Sequence, residues 1–132
     1  MMKIHHIGYA VRDLKVSVPE FLKLGYKNLT ETIFDEIRNV AIQFMKNDSY
    51  LIELIAPLND NSPVDNILSK IGNSPYHICY EVDDLFYQIK RFSDEGYLVI
   101  EDAKEALGID NQRVAFLFSS KVGLIELIEA KR

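Results

Sequence analysis

Residues His6 to Leu14, His-Ile-Gly-Tyr-Ala-Val-Arg-Asp-Leu, return as His-Ile-Cys-Tyr-Glu-Val-Asp-Asp-Leu from His77 to Leu85, with six of nine positions identical at a spacing of 71. Gly25-Tyr26 returns at the same spacing as Gly96-Tyr97. Val40-Ala41 and Phe44 are echoed by Val114-Ala115 and Phe118 at 74, and the run Leu51 to Ile55 by Leu124 to Ile128 at 73. Four echoes in one order mean a duplicated module, which restricts the fold to one built from two similar halves. Each half opens on a His and closes on a Glu, residue types that ligate divalent metals.

The whole chain is 132 residues, 48% apolar, enough for one ordinary domain, so the duplication makes half-domains. We therefore expect residues 1–132 to be a single domain, with modules at about 1–57 and 74–132 joined by a connector and a helix. A net charge of −5 with no Lys/Arg cluster argues against nucleic acid and anionic membrane surfaces as partners. The single cysteine, Cys79, excludes an internal disulfide and fits a reducing compartment. The start Met-Met-Lys-Ile-His-His shows no signal-peptide pattern, and no apolar run approaches the roughly 20 residues of a membrane span. The expected location is the cytoplasm.

Hydrophobic patterning gives the same alternation twice. Residues 4–11 read as a strand, Asp13 caps a helix to Lys23 that Pro19 either interrupts or begins, and Gly25 ends it. Strand-like runs follow at 26–34, 37–46 and 50–56, the last two joined by Asn47-Asp48-Ser49. Ser62-Pro63 opens a connecting helix to about Ile71. The second half reads strand 76–82, helix from Asp84 to Glu95 stopped by Gly96, and strands near 97–101, 113–118 and 124–129, with Ala103 to Asn111 an irregular loop. The expected class is α+β: two βαβββ modules forming a curled mixed sheet around a metal-binding cleft.

Side chains alternate along a strand, so His6 shares a face with Gly8 and Ala10, and His77 with Cys79 and Glu81. Glu53 stands between Leu51 and Ile55 on its face, and Glu126 between Leu124 and Ile128. A lone carboxylate in an apolar row carries a desolvation cost of several kcal/mol unless a cation or hydrogen-bond partner offsets it. Two modules related by a pseudo-twofold axis bring the two imidazoles and two carboxylates to a shared cleft, making His6, Glu53, His77 and Glu126 the candidate ligands of one divalent ion. A strand histidine standing alone is most often structural; equivalence across a duplicated unit is what favours ligation. His5 corresponds to Tyr76 and is assigned to the surroundings or the surface. Cys79 corresponds to Gly8 and reads first as a packing residue.

These segments, together with Ile-Glu-Leu-Ile-Ala-Pro from Ile52 and Leu-Ile-Glu-Leu-Ile-Glu from Leu124, resemble the vicinal oxygen chelate superfamily over nearly the whole chain. Within it, Ile55 to Val64 followed by a helix and Tyr76-His77-Ile78 is similar to methylmalonyl-CoA epimerases. The resemblance implies His6, Glu53, His77 and Glu126 as metal ligands. The ion is one of Zn, Co, Ni, Mn or Fe. Glyoxalase I, lactoylglutathione lyase, uses the same ligand pattern, so the ligands leave both activities open. A non-catalytic module that binds a small molecule, as in drug resistance, is the third reading. The chain departs from the epimerase pattern in its first helix, in Ala106 to Asn111, and in Ala41 or Gln43 where some epimerases carry another acid. The implied chemistry is proton transfer next to a carbonyl of a small-molecule substrate: Glu126 is ligand and proton shuttle, Glu53 the ligand able to swing away, and Gln43 a cavity hydrogen-bonder. Open sheet edges in so short a chain point to a homodimer.

Overall fold

The computed structural model describes residues 2–131. They form two compact units, residues 6–76 and residues 77–131 with residues 2–5. Among the described residues are nine strands and three α-helices, the expected α+β class with a βαβββ run in each half.

The first unit holds β1 (Lys3–Ala10) from His6 onward, α1 (Leu14–Lys23), β2 (Lys27–Asn28), β3 (Ile33–Asp35), β4 (Val40–Asn47), β5 (Tyr50–Pro57) and α2 (Asp65–Lys70). Its strand order is β2-β4-β5-β1, with β3 also paired to β4. β1 runs parallel to β5, and the other pairs are antiparallel, so the sheet is mixed. Asp13 caps α1 by accepting from the Lys15 amide, and Pro19 lies inside the helix. The apolar stripe of α1 packs Leu14, Val18 and Phe21 onto Val11, Ala41, Met45, Ile52, Leu54 and Ala56 of the sheet.

The second unit is built from β6 (Ser74–Val82) from His77 onward, α3 (Leu85–Asp94), β7 (Leu98–Ala106), a 3-10 turn (Leu107–Ile109), β8 (Gln112–Ser119) and β9 (Gly123–Glu129). The order here is β6-β9-β8-β7, with β6 parallel to β9. Asp84 caps α3 through the Tyr87 amide, and Leu85 and Ile89 pack onto Ala115, Leu117, Ile125 and Leu127.

The repeated Gly-Tyr has a structural cause. Gly25 and Gly96 take φ of +96° and +100°, a left-handed conformation that closes a helix cheaply only in glycine. The next amide then reaches back five residues, Tyr26 to Phe21 O and Tyr97 to Phe92 O. Each Tyr ring meets that same Phe edge-on, at 5.4 and 4.8 Å between centroids.

Three segments differ from the sequence expectation. The strand expected over 26–34 is two short pieces, because the Leu29 and Thr30 amides both turn to Phe44 O and the Thr30 hydroxyl takes the Phe44 amide, which breaks the ladder. The strand expected from Ile37 starts at Val40: Asp35 accepts from the Arg38 amide, Asn39 has φ +59°, and Ile37 sits 83% exposed on the turn. Finally, Ala103 belongs to β7, which shifts register twice between Val99 and Lys104. The irregular part is only the 3-10 turn and the left-handed pair Asp110 and Asn111.

Candidate metal centre

In the first unit the parallel register sets Gly8 beside Glu53, so the face carrying His6, Gly8 and Ala10 also carries Glu53. Gly8 has no side chain to set beside the carboxylate, and His6 stands two residues earlier on the same face. His6 Nε2 lies 3.2 Å from Glu53 Oε1. Both are buried, at 1% and 4% exposure. On the other side of β5, Phe44 is in register with Glu53, and its ring meets the His6 ring edge-on at 5.5 Å and 88°.

The second unit repeats this geometry. Cys79 stands beside Glu126 across the parallel pair β6/β9, and His77 Nε2 lies 3.1 Å from Glu126 Oε1. His77 and Glu126 are 4% and 3% exposed. Phe116 is in register with Glu126 and meets His77 edge-on at 5.2 Å and 88°.

A buried carboxylate held by an imidazole is either a charge-assisted hydrogen bond or one edge of a coordination shell. Both fit the observed separations. Two ligand atoms bound at about 2.1 Å and at right angles about one ion sit about 3 Å apart. The donor set, neutral imidazole nitrogen with carboxylate oxygen, suits a borderline divalent ion. Each unit therefore offers a pair of donors already brought together on the buried face of its sheet.

Gln43 requires a correction. It is in register with Leu54, which puts it on the face of β4 opposite to Phe44 and hence to Glu53. It is buried, and its amide is taken up by Asn28 Oδ1 at 2.7 Å and the Thr32 hydroxyl at 3.0 Å. Its role is to tie β2 and the residue before β3 to β4, so it is not a hydrogen-bonder on the carboxylate face. Ala41 shares its face. His5 is half-buried and Cys79 fully buried.

The sequence echo at 74 also misaligns the third strands. Phe44 pairs with Glu53 and Phe116 with Glu126, so the equivalents are Phe44 and Phe116, not Phe44 and Phe118. The two phenylalanines beside the histidines were thus missed. Their signal is a spacing of 72, which falls between the 71 of the histidines and the 73 of the glutamates.

A model of the Glyoxalase/Bleomycin resistance protein/Dioxygenase superfamily matches residues 5–116. The mitochondrial methylmalonyl-CoA epimerase of Dictyostelium discoideum is 28% identical over 130 residues, covering 96% of this chain and 78% of the relative. Among solved structures, a hypothetical protein from Bacillus halodurans C-125 superposes with a TM-score of 0.86 at 30% identity, covering 99% of this chain and 96% of that one. A methylmalonyl-CoA epimerase in complex with methylmalonyl-CoA and NH4+ gives 0.84 at 25%, covering 98% and 95%. Two halves of one βαβββ pattern, the His–Glu pair in each and a family match spanning most of the length make this chain a member of the glyoxalase/bleomycin resistance/dioxygenase superfamily.

Proposed function

We propose that this protein is a metal-dependent epimerase acting on methylmalonyl-CoA or a close acyl-CoA thioester, with His6, Glu53, His77 and Glu126 as the ligands of one divalent ion and the two units acting as one domain. The observation that carries the reading is the repeated pair: a buried Nε2–carboxylate contact of 3.2 Å in one unit and 3.1 Å in the other, in a chain whose relatives include methylmalonyl-CoA epimerases.

A bound divalent ion supplies Lewis-acid polarisation of the substrate carbonyl, which makes the neighbouring C–H more acidic. The chain's own residues do the rest. His6 and His77, fully enclosed, serve as neutral donors. Glu126 accepts the α-proton, and Glu53, protonated and turned away from the ion, delivers its own proton to the opposite face of the same carbon, which inverts it; the two carboxyls then recover their starting protonation by exchange with solvent. Glu53 and Glu126 are 4% and 3% exposed, so within one turnover the returning proton comes from the protein, and between turnovers it is replaced from solvent. Lactoylglutathione lyase chemistry would return the proton to the adjacent carbon; the epimerase names of the relatives favour inversion.

The test is solvent exchange. Protein loaded with Co²⁺, Zn²⁺, Ni²⁺ or Mn²⁺ should exchange the α-proton of methylmalonyl-CoA with deuterium, followed by NMR. Glu126→Gln should slow that exchange about 100-fold or more, and His77→Ala should lower metal content as well. Isomerisation of the methylglyoxal–glutathione hemithioacetal without exchange on the thioester would reverse the choice of activity. Silence on both, with metal bound, would point to a binding module.

The finer expectations join the proposal. No described helix is long and apolar enough to cross a membrane, in keeping with the cytoplasm as the site of action. Apolar Leu98 and Ile100 lie exposed on β7, at one end of its sheet order, in keeping with a homodimer.

A further inference from the structure

Both candidate ligand histidines have the same aromatic neighbour in the same geometry. Phe44 and Phe116 come from the strand beside the glutamate strand, in register with Glu53 and Glu126. Their rings stand perpendicular to the imidazoles, at 88° in both cases and at 5.5 and 5.2 Å. The local sequences around them differ in all but the ring: Ile42-Gln43-Phe44-Met45 corresponds to Val114-Ala115-Phe116-Leu117. What the two halves retain is the aromatic ring beside the His–Glu pair.

The geometry has a physical use. The second torsion of a histidine is soft, so the plane of the ring gains from any flat surface packed against it. An edge-on aromatic wall restricts rocking of the ring without competing for Nε2, because it presents no lone pair and no donor proton. It also excludes water that would otherwise solvate the imidazole. Leucine of similar bulk would fill space but would not present a flat perpendicular surface.

We propose that Phe44 and Phe116 are positioning residues, which fix the plane of His6 and His77 so that Nε2 is held toward the carboxylate and toward a metal bound with it. The proposal rests on the metal reading of the preceding section. Neither phenylalanine transfers a proton.

Titration with Co²⁺, read by visible absorption, separates the two levels. Wild-type protein should bind one Co²⁺ per chain, and His6→Ala and His77→Ala should abolish or greatly weaken binding; if they do not, the metal reading itself fails. Given that binding, Phe44→Leu and Phe116→Leu, shown folded by circular dichroism, should each weaken Co²⁺ affinity about 10-fold or more, the usual effect of removing support behind a ligand. Their d–d absorption bands should broaden or shift as the imidazole planes loosen. Phe116→Tyr, at a half-buried position that admits a hydroxyl, should keep the wild-type spectrum. Should Phe44→Leu not fold, the Phe116 pair of variants decides. Folded leucine variants with wild-type affinity and spectrum would overturn the proposal.

Discussion

Each glutamate of the two pairs is nearly fully buried, and a buried carboxylate is a cost that its surroundings must offset. An imidazole at 3.1–3.2 Å offsets part of it. A divalent ion that binds only the folded chain adds stability that grows with the logarithm of its excess over its dissociation constant, about 2.7 kcal/mol at a 100-fold excess. Metal loading should therefore raise the melting temperature of the wild-type protein and chelator should reverse the rise. In Glu53→Ala the metal-dependent rise should largely disappear in differential scanning calorimetry; an undiminished rise would place the ion elsewhere. The two glutamates stand out in the sequence because a single charge in an apolar row, repeated in the other half, has few structural explanations, and the structure sets a buried histidine beside each. Gln43 was misread for the opposite reason. A polar residue in a strand looks the same from either face, and only the register with Leu54 reveals which way it points.

The ends of α1 and α3 were read correctly from sequence because caps act over a few residues, whereas α2, expected to open at Ser62-Pro63, begins at Asp65 with no side-chain cap. Asp13 and Asp84 accept from amides two and three residues on, and Gly25 and Gly96 close the helices they start. A Cβ at Gly96 would meet nothing within 4 Å, so the cost of Gly96→Ala is conformational rather than steric. We expect a loss of about 1 kcal/mol, measured by urea unfolding, from forcing alanine to positive φ. Asp84→Ala should cost about the same through the lost cap. A neutral Gly96→Ala would mean that the turn relaxes. Strand ends were harder to place. The breaks at residues 29–32 and 36–39 arise where side chains, Thr30 and Asp35, take backbone amides from the ladder. Such competition depends on what lies across the strand, which local patterning does not carry. The β7 register shifts are of the same kind.

At the scale of the molecule, the duplication was the most legible property, and its limit was alignment. Insertions moved the spacing from 71 to 73 between the first and last strands, and the echo at 74 matched Phe44 to the wrong partner, because Val-Ala is common in strands and carries little positional information. The exposed apolar residues of β7 lead to the remaining prediction: sedimentation at tens of micromolar should show a dimer, with Leu98→Lys or Ile100→Lys shifting it toward monomer, while a wild-type monomer would remove the homodimer from the proposal. One feature of the two units reaches further. The His–Glu contact is closed within each unit, across a parallel strand pair, so the instruction for half of the donor set is contained in residues 6–76 of one unit and in residues 77–131 of the other. Two separate copies of such a half-length chain would carry the same four donors as this one does. Once both halves share a peptide chain, neither has to remain a copy of the other, and the place held by Gly8 beside one carboxylate and by Cys79 beside the other records how ancestry by gene duplication becomes asymmetry available to selection.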